Sequence, residues 1–448
     1  MTTLTFLLLA LSATEDVIDD FRYADGAAAA QAWTVTPSSP SLQVAETEGR
    51  TVLQLDSPFR DQGELERVYV DRRVELDLSA AGGFVLEAAA EPPETLMHVT
   101  LYFHSSDGWF GAGGRASKPG WQRLQFAKSA FRSEDSPAGW DKVDTIRIAF
   151  WRRGAGESSN AVIRLRLLAA VQQDVALVVP RAERGADDPE VRSALHIADD
   201  LEQMLATLGL QVDRIDETTV SQSQGRALGR RPLAILAHNP GLSDEAAAAL
   251  AQFVEAGGKL LACYQLHPQL AGALGFARGE YVRPERRGQL AEIRFQADGV
   301  PGLPPAVKQA SWNIATAKPV AHHAQVIGRW YDDAGQPTEW PAMLLSDRGA
   351  YFSHVFLTDD DEKKTQLLAA ILGRLATPLW RQIAATALQR AQTVGHCGDL
   401  AELMTFLQGV PSPDARKLQQ SGVEARSAAE QRLANGEFPE AVRLAGES

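Results

Sequence analysis

Hydrophobic and polar residues alternate along the first third of the chain, and hydrophobic residues recur every three or four positions along much of the rest. Ile146, Ile148 and Phe150 alternate with Arg147 and Ala149, and Ile163, Leu165 and Leu167 alternate with Arg164, Arg166 and Leu168. That period belongs to strands with one buried face. Val52 to Leu55, Val68 to Val70, Val74 to Leu78, Phe84 to Glu87, His98 to His104 and Gln122 to Phe126 are further short runs of this kind. Punctuated by Gly, Pro and Ser, they predict an antiparallel β-sandwich of jelly-roll type over residues 16–170.

The period changes near Val171. Asp174 to Pro180 is an apolar strand, and Val191, Leu195, Ala198, Leu201, Leu205 and Leu208 then mark one face of a long helix closed by Gly209. Leu210 to Ile215 is the next strand. Arg231 to Gln265 reads as one βαβ unit: an apolar strand, a break at Asn239-Pro240-Gly241, a helix capped by Ser243 and closed by Gly257-Gly258, then a strand from Lys259. A short helix follows from Pro268 to Leu274. This alternation predicts a doubly wound α/β domain over residues 171–376, with an antiparallel extension built from Leu290 to Phe295, Val326 to Tyr331, Ala342 to Leu345 and Tyr351 to Leu357. Thr358 and the acidic run Asp359-Asp360-Asp361 read as the cap of a helix bearing Leu367, Leu368, Ile371, Leu372 and Leu375. Residues 377–448 read as an increasingly polar helical connector in which Leu400, Leu403, Met404 and Leu407 share one face, and the charged, Ala-rich stretch after Pro411-Ser412-Pro413 has little to bury.

Composition adds exclusions. A chain of 448 residues with 45% hydrophobic and 23% charged residues suits two or three globular domains. A net charge of −13 and the lack of a Lys/Arg run argue against a nucleic-acid or anionic-membrane surface. The N-terminal stretch MTTLTFLLLALSATED resembles a secretory signal over residues 1–15, although basic residues before its apolar core are missing. It points to a secreted or periplasmic protein. No other stretch approaches the ~20 apolar residues of a membrane span. Cys263 and Cys397 fall in different predicted domains and make no disulfide framework.

Candidate chemistry is sparse. Cys263 follows a predicted central strand and precedes a helix, the place of a nucleophile elbow. Its neighbours Ala262, Tyr264 and Gln265 are not the glycines such a turn favours, and an unassisted thiol is a poor nucleophile. A buried apolar role fits Cys263 better. His238, His354 and His322-His323 have no ligand partners at recognisable spacing, and His396-Cys397-Gly398-Asp399 stands without a second cluster. No metal site or cofactor is expected, and Gly111 to Gly114 lacks the Gly-Lys-Ser/Thr of a phosphate loop. Trp109-Phe110 stands in the Gly/Ser-rich stretch Ser105 to Gly114, which reads as an exposed loop. There its rings could stack on a sugar, with Asp107, Arg115 and His104 bonding hydroxyls. Trp121, Trp140 and Trp151 read as core or edge packing.

The β-rich stretch, through Val99 to Phe103, Gly108-Trp109-Phe110, Gly120-Trp121-Gln122, Ala138-Gly139-Trp140 and Ile146-Arg147-Ile148, resembles galactose-binding-like and carbohydrate-binding modules. The stretch from Gln173 to Ala376 resembles glutamine-amidotransferase-like domains of glycosidases, on His238-Asn239-Pro240, Leu242-Ser243 and Ala256 to Leu261. Active class I amidotransferases also need His-x-Glu. His322-His323 is followed by Ala324-Gln325 and His354 by Val355-Phe356, so the triad is degenerate. The order of parts is similar to the N-terminal portion of secreted bacterial proteins that continue into a glycosidase-like barrel. The resemblance implies a non-catalytic accessory region of a carbohydrate-active protein. Its sandwich would bind a polysaccharide or oligosaccharide, and its α/β domain would serve packing or homo-oligomerisation. The alternatives are an amidase or amidotransferase using Cys263 and a purely structural assembly protein.

Overall fold

The computed structural model describes residues 14–36, 42–57, 59, 67–116, 118–153, 160–296, 299–391, 405 and 413–447. Apart from Thr14 and Glu15, the expected signal segment lies outside them, as do His396 to Asp399, Cys397 included, and the Leu400, Leu403, Met404 and Leu407 face. The chain divides into two compact units, Met1–Gln173 and Asp174–Ser448.

The first unit holds β1 (Thr14–Asp19), α1 (Gly26–Ala32), β2 (Thr34–Thr36), β3 (Leu42–Thr47), β4 (Arg50–Ser57), β5 (Arg67–Leu76), β6 (Gly83–Glu91), β7 (Leu96–Gly114), β8 (Gln122–Ala127), β9 (Arg132–Pro137), β10 (Val143–Arg152) and β11 (Ala161–Gln172). They form two antiparallel sheets, ordered β3-β4-β11-β6-β8, with β1 added on β11, and β2-β5-β10-β7-β9. From β4 to β9 successive strands alternate between the sheets. Inward residues of both sheets share one core: Leu53, Leu86, Ile163 and Leu165 from the first, Val70, Leu101, Phe103, Ile146, Ile148 and Phe150 from the second. The alternation in the sequence is therefore the inside–outside alternation of a sandwich. Val68 to Leu78, expected as two strands, is mostly one continuous strand, β5.

The second unit continues with β12 (Val175–Val179), α2 (Pro189–Thr207), β13 (Val212–Asp216), α3 (Glu217–Gln222), β14 (Leu233–Leu236), α4 (Asp244–Glu255), β15 (Lys259–Cys263), α5 (Pro268–Leu274), β16 (Phe276–Val282), β17 (Glu292–Phe295), β18 (Ala306–Lys308), β19 (Ile314–Pro319), β20 (Gln325–Tyr331), β21 (Pro337–Leu345), β22 (Gly349–Phe352), α6 (Asp361–Leu375), α7 (Thr377–Arg390), α8 (Pro413–Ala434) and α9 (Phe438–Glu447). One sheet runs β13-β12-β14-β15-β22-β21-β20-β17-β18. Its β13 to β22 half is parallel and its β22 to β18 half antiparallel. Both faces are covered. Leu177, Ile235 and Leu261 pack with α2 and α6, whereas Val178, Leu236 and Ala262 pack with α4 and α5. β16 and β19 form a separate two-stranded ribbon. Ser243 caps α4 by accepting a hydrogen bond from the Ala246 amide at 3.2 Å.

Two expectations change. The acidic run does not cap α6 through its side chains: the N-cap residue Asp360 sits at φ 56° and its carboxylate accepts from the Lys308 amide instead. Asp359 pairs with the buried Lys364. The stretch after Pro378 is also more than a polar connector, because α7 buries Leu379, Trp380 and Ile383 in the core of this unit. Trp380 lies against Gly373, where a Cβ would come within 2.1 Å of the indole nitrogen.

Candidate functional site

The two outer faces of the sandwich differ in kind. On the β3-β4-β11-β6-β8 sheet, Arg123 pairs with Glu15 and Glu87, Arg164 with Glu91, and Arg166 with Glu48 and Glu87. Apart from the part-buried Arg166–Glu87 pair, these are surface pairs worth little each. The β2-β5-β10-β7-β9 sheet instead presents a band of rings.

Register builds that band. Arg147 of β10 stands opposite Asp71 of β5 and Tyr102 of β7, while Ala149 stands opposite Tyr69 and Thr100. The Arg147 guanidinium makes a two-pronged bond to Asp71, with Nε–Oδ1 and Nη2–Oδ2 both 2.8 Å. These bonds hold its proton more firmly than usual. Its carbon lies 4.2 Å from the centre of the Tyr69 ring and 4.5 Å from that of Trp109, so two rings bracket it. One end of the band is Trp151, stacked on His98 at 5.2 Å and donating from its indole nitrogen to Thr100 at 3.0 Å. At the other end His104 lies 4.6 Å from Trp109, and its Nδ1 is 2.6 Å from Asp144 Oδ1. Partial burial opposes ionisation of Asp144, but hydrogen bonds from His104, Thr145 and the Ser106 amide outweigh it and hold the carboxyl below its ordinary range.

Trp109 reaches this face because β7 changes partners. Up to His104 it pairs with β10, and from Ser106 to Gly111 it pairs with β9. Ser106 sits at φ 58°, in the left-handed region, and bends the strand between the two pairings. Gly111 is needed beneath, since a Cβ there would meet the Tyr102 ring at 2.6 Å.

The expected loop is therefore a strand, because β9 supplies a hydrogen-bonding partner that its charged sequence conceals. The expected group also separates. Trp109 and His104 come together. Phe110 points away and stacks on Trp140 at 4.3 Å, within the cluster of Phe84, Phe103 and Phe131. Asp107 and Arg115 are exposed, and among the described residues neither joins the Asp71–Arg147 or His104–Asp144 pairs. Trp151, expected as packing, stands on the outer face. Tyr69, Asp71, Tyr102, Asp144 and Arg147 were missed; outward placement in the alternation was the only signal for them.

In the second unit Cys263 is fully buried at the end of β15, and burial pushes its thiol far up. Among the described residues no imidazole or carboxylate hydrogen-bonds it. The residue at the strand-to-helix turn is Tyr264, at φ 62°. The Tyr264 ring meets His238 and His354 edge-on, 5.3 and 5.7 Å away. Burial lowers both imidazoles to about 4 from an ordinary 6.5. The unfolded chain then takes up protons first as pH falls. Stability from the neutral rings is complete above about pH 6.5 and is lost as pH falls towards 4, by up to about 3 kcal/mol each. Urea midpoints of the second unit at pH 7 and 4.5 should accordingly differ less in His354→Gln than in the parent; equal differences would refute a buried neutral His354.

Among the described residues no group of three or more His, Cys, Asp or Glu side chains is placed to hold a metal ion, and no helix is long and apolar enough to cross a membrane.

No family model and no curated protein matches the sequence. Solved structures align with parts of the chain. A ThuA-like protein from Bacteroides uniformis is 14% identical over 45% of this chain and 90% of its own, with a TM-score of 0.34. The family 11 carbohydrate-binding module from Clostridium thermocellum, solved with a β-1,3-1,4-mixed-linked tetrasaccharide, is 11% identical over 35% of this chain and 96% of its own, at 0.26. A glutamine amidotransferase from Thermotoga maritima is 12% identical over 60% of this chain and 97% of its own, at 0.27. Likenesses of this degree say nothing about activity.

Proposed function

We propose that the first unit binds a neutral polysaccharide or oligosaccharide along the outer face of the β2-β5-β10-β7-β9 sheet, as the non-catalytic binding part of a secreted carbohydrate-active protein. The observation that carries this reading is Arg147, bracketed by Tyr69 and Trp109 and locked to Asp71 by two 2.8 Å bonds. Sugars offer apolar ring faces and edges of hydroxyls. A surface of fixed rings interleaved with oriented polar groups complements both. The Arg147 guanidinium and the Asp71 and Asp144 carboxylates already have partners, and Arg67 over the Trp151 ring and Glu134 opposite Trp109 add one charge of each sign, a balance that favours an uncharged ligand. From Thr145 to Trp151 the band extends about 20 Å at the usual rise per residue, long enough for several sugar rings. An amidase role for Cys263 lacks a base, an orienting carboxylate and access to the thiol.

Native gels containing mixed-linkage β-glucan, xylan, galactomannan or agarose test the proposal. Retardation in at least one gel is expected, and unchanged mobility in all four would reject it.

A further inference from the structure

The second unit contains a cleft of about 470 Å³ at the carboxyl ends of its parallel strands. The chain leaves β12 for one side of the sheet, towards β13, and continues on the other side with β14 and β15. Such a reversal opens a crevice between the turns that follow the strands. The turn after β14 supplies Asn239, the turn after β15 supplies Tyr264, and the β16–β19 ribbon supplies Arg278, Glu280 and Tyr281.

Three features set this cleft apart from a packing defect. First, Tyr264 holds a left-handed backbone that side chains other than Gly avoid, at a cost of about 1–2 kcal/mol. The Tyr351 hydroxyl, 2.7 Å from the carbonyl oxygens of both Tyr264 and Ala315, fixes the turn. Second, both amide atoms of the lining residue Asn239, only 4% exposed, are buried without hydrogen bonds, as is Nδ1 of His238 next to it in the chain. Asn239 lies close enough to Glu217 to oppose the upward push of burial on that carboxyl, yet short of hydrogen-bond geometry. Unmet groups of this kind cost about 1–3 kcal/mol each unless something pairs with them. Third, three tyrosines, Tyr264, Tyr281 and Tyr351, are in the lining, with Tyr281 62% exposed.

We infer that this cleft binds a small neutral polyhydroxylated molecule of mono- or disaccharide size, with Asn239 bonding adjacent hydroxyls and the Tyr264 and Tyr281 rings flanking it. The amide both donates and accepts, which suits a hydroxyl group. Glu190 and Glu280 stand against Arg278 in the lining, so no excess of positive charge selects an anion. The site lies wholly within the second unit and does not depend on the glycan face of the first.

Calorimetry on the full chain tests it, in a Trp109→Ala, Arg147→Ala background that silences the first unit. The probes are D-glucose, D-galactose, cellobiose and, as a carboxamide, L-glutamine. Saturable one-to-one binding of at least one of the three sugars is expected. It should weaken about tenfold or more in Asn239→Ala, and about threefold or more in Tyr281→Ala, whose exposed ring the fold does not need. The inference fails if no sugar binds, if only L-glutamine binds, or if sugar binding is indifferent to both substitutions. The first unit's gel retardation stands or falls separately.

Discussion

Replacing Trp109 with alanine is expected to weaken glycan binding at least about tenfold, the equivalent of one aromatic stacking contact of roughly 1.4 kcal/mol, while the first unit stays folded. The indole is half-buried and belongs to no core cluster; its neighbours are Tyr102, His104 and Arg147 on the open face. Its loss removes one wall of the Arg147 bracket. Arg147→Ala should cost more, because it strips Trp109 of its cation and Tyr69 of the nearer of its two, and leaves Asp71 without its two bonds. Trp121→Ala is the control: that ring lies under Arg166 on the ion-paired sheet, 4.4 Å away, and its removal should leave affinity unchanged. Calorimetry with whichever polysaccharide retards the parent chain reads all three. Equal loss in Trp121→Ala would mean the wrong face has been assigned.

The second large effect concerns stability. Asp19 is 6% exposed, and its carboxylate accepts from the Phe21 amide at 2.6 Å, the Tyr23 hydroxyl at 2.5 Å, the Trp33 indole nitrogen at 2.9 Å and the Arg72 guanidinium. Burial, reinforced by Asp19, pushes the Tyr23 phenol far up, so it remains a donor. Asp19→Ala leaves these donors facing a space without charge, with Arg72 partly buried and unpaired. Removal of one partner from a buried pair typically costs about 3–5 kcal/mol. Scanning calorimetry should show the first unit's transition lowered by several degrees or more, the second unit's unmoved, and partial recovery in Asp19→Asn. An unmoved first transition would show that the network is ornamental to the fold.

Much of the architecture is legible in residue order. Ile146, Ile148 and Phe150 announce a half-buried strand, and Leu177, Ile235 and Leu261 with their neighbours announce strands buried on both faces. What the order hides is pairing at long range. β9 reads Arg-Ser-Glu-Asp-Ser-Pro and has no apolar period, so the stretch it pairs with looks like a loop. The Ser106 bend that swings Trp109 over Tyr102 depends on one dihedral angle that Ser, Asp and Gly do not specify. Asp71 and Arg147 meet across 76 residues, a separation over which local periodicity carries no information. The candidate thiol was one residue off: Cys263 turns into the core, and the strained turn belongs to Tyr264.

Hydrogen exchange of the full chain, with and without a saturating oligosaccharide cut from the polysaccharide that retards it, tests the central claim most directly. Slowed exchange is expected across His98 to Gly111 of β7 and Val143 to Arg152 of β10, with β4 and β11 unchanged. Protection confined to β4, β8 and β11, or to the second unit alone, would contradict a glycan face built around Arg147.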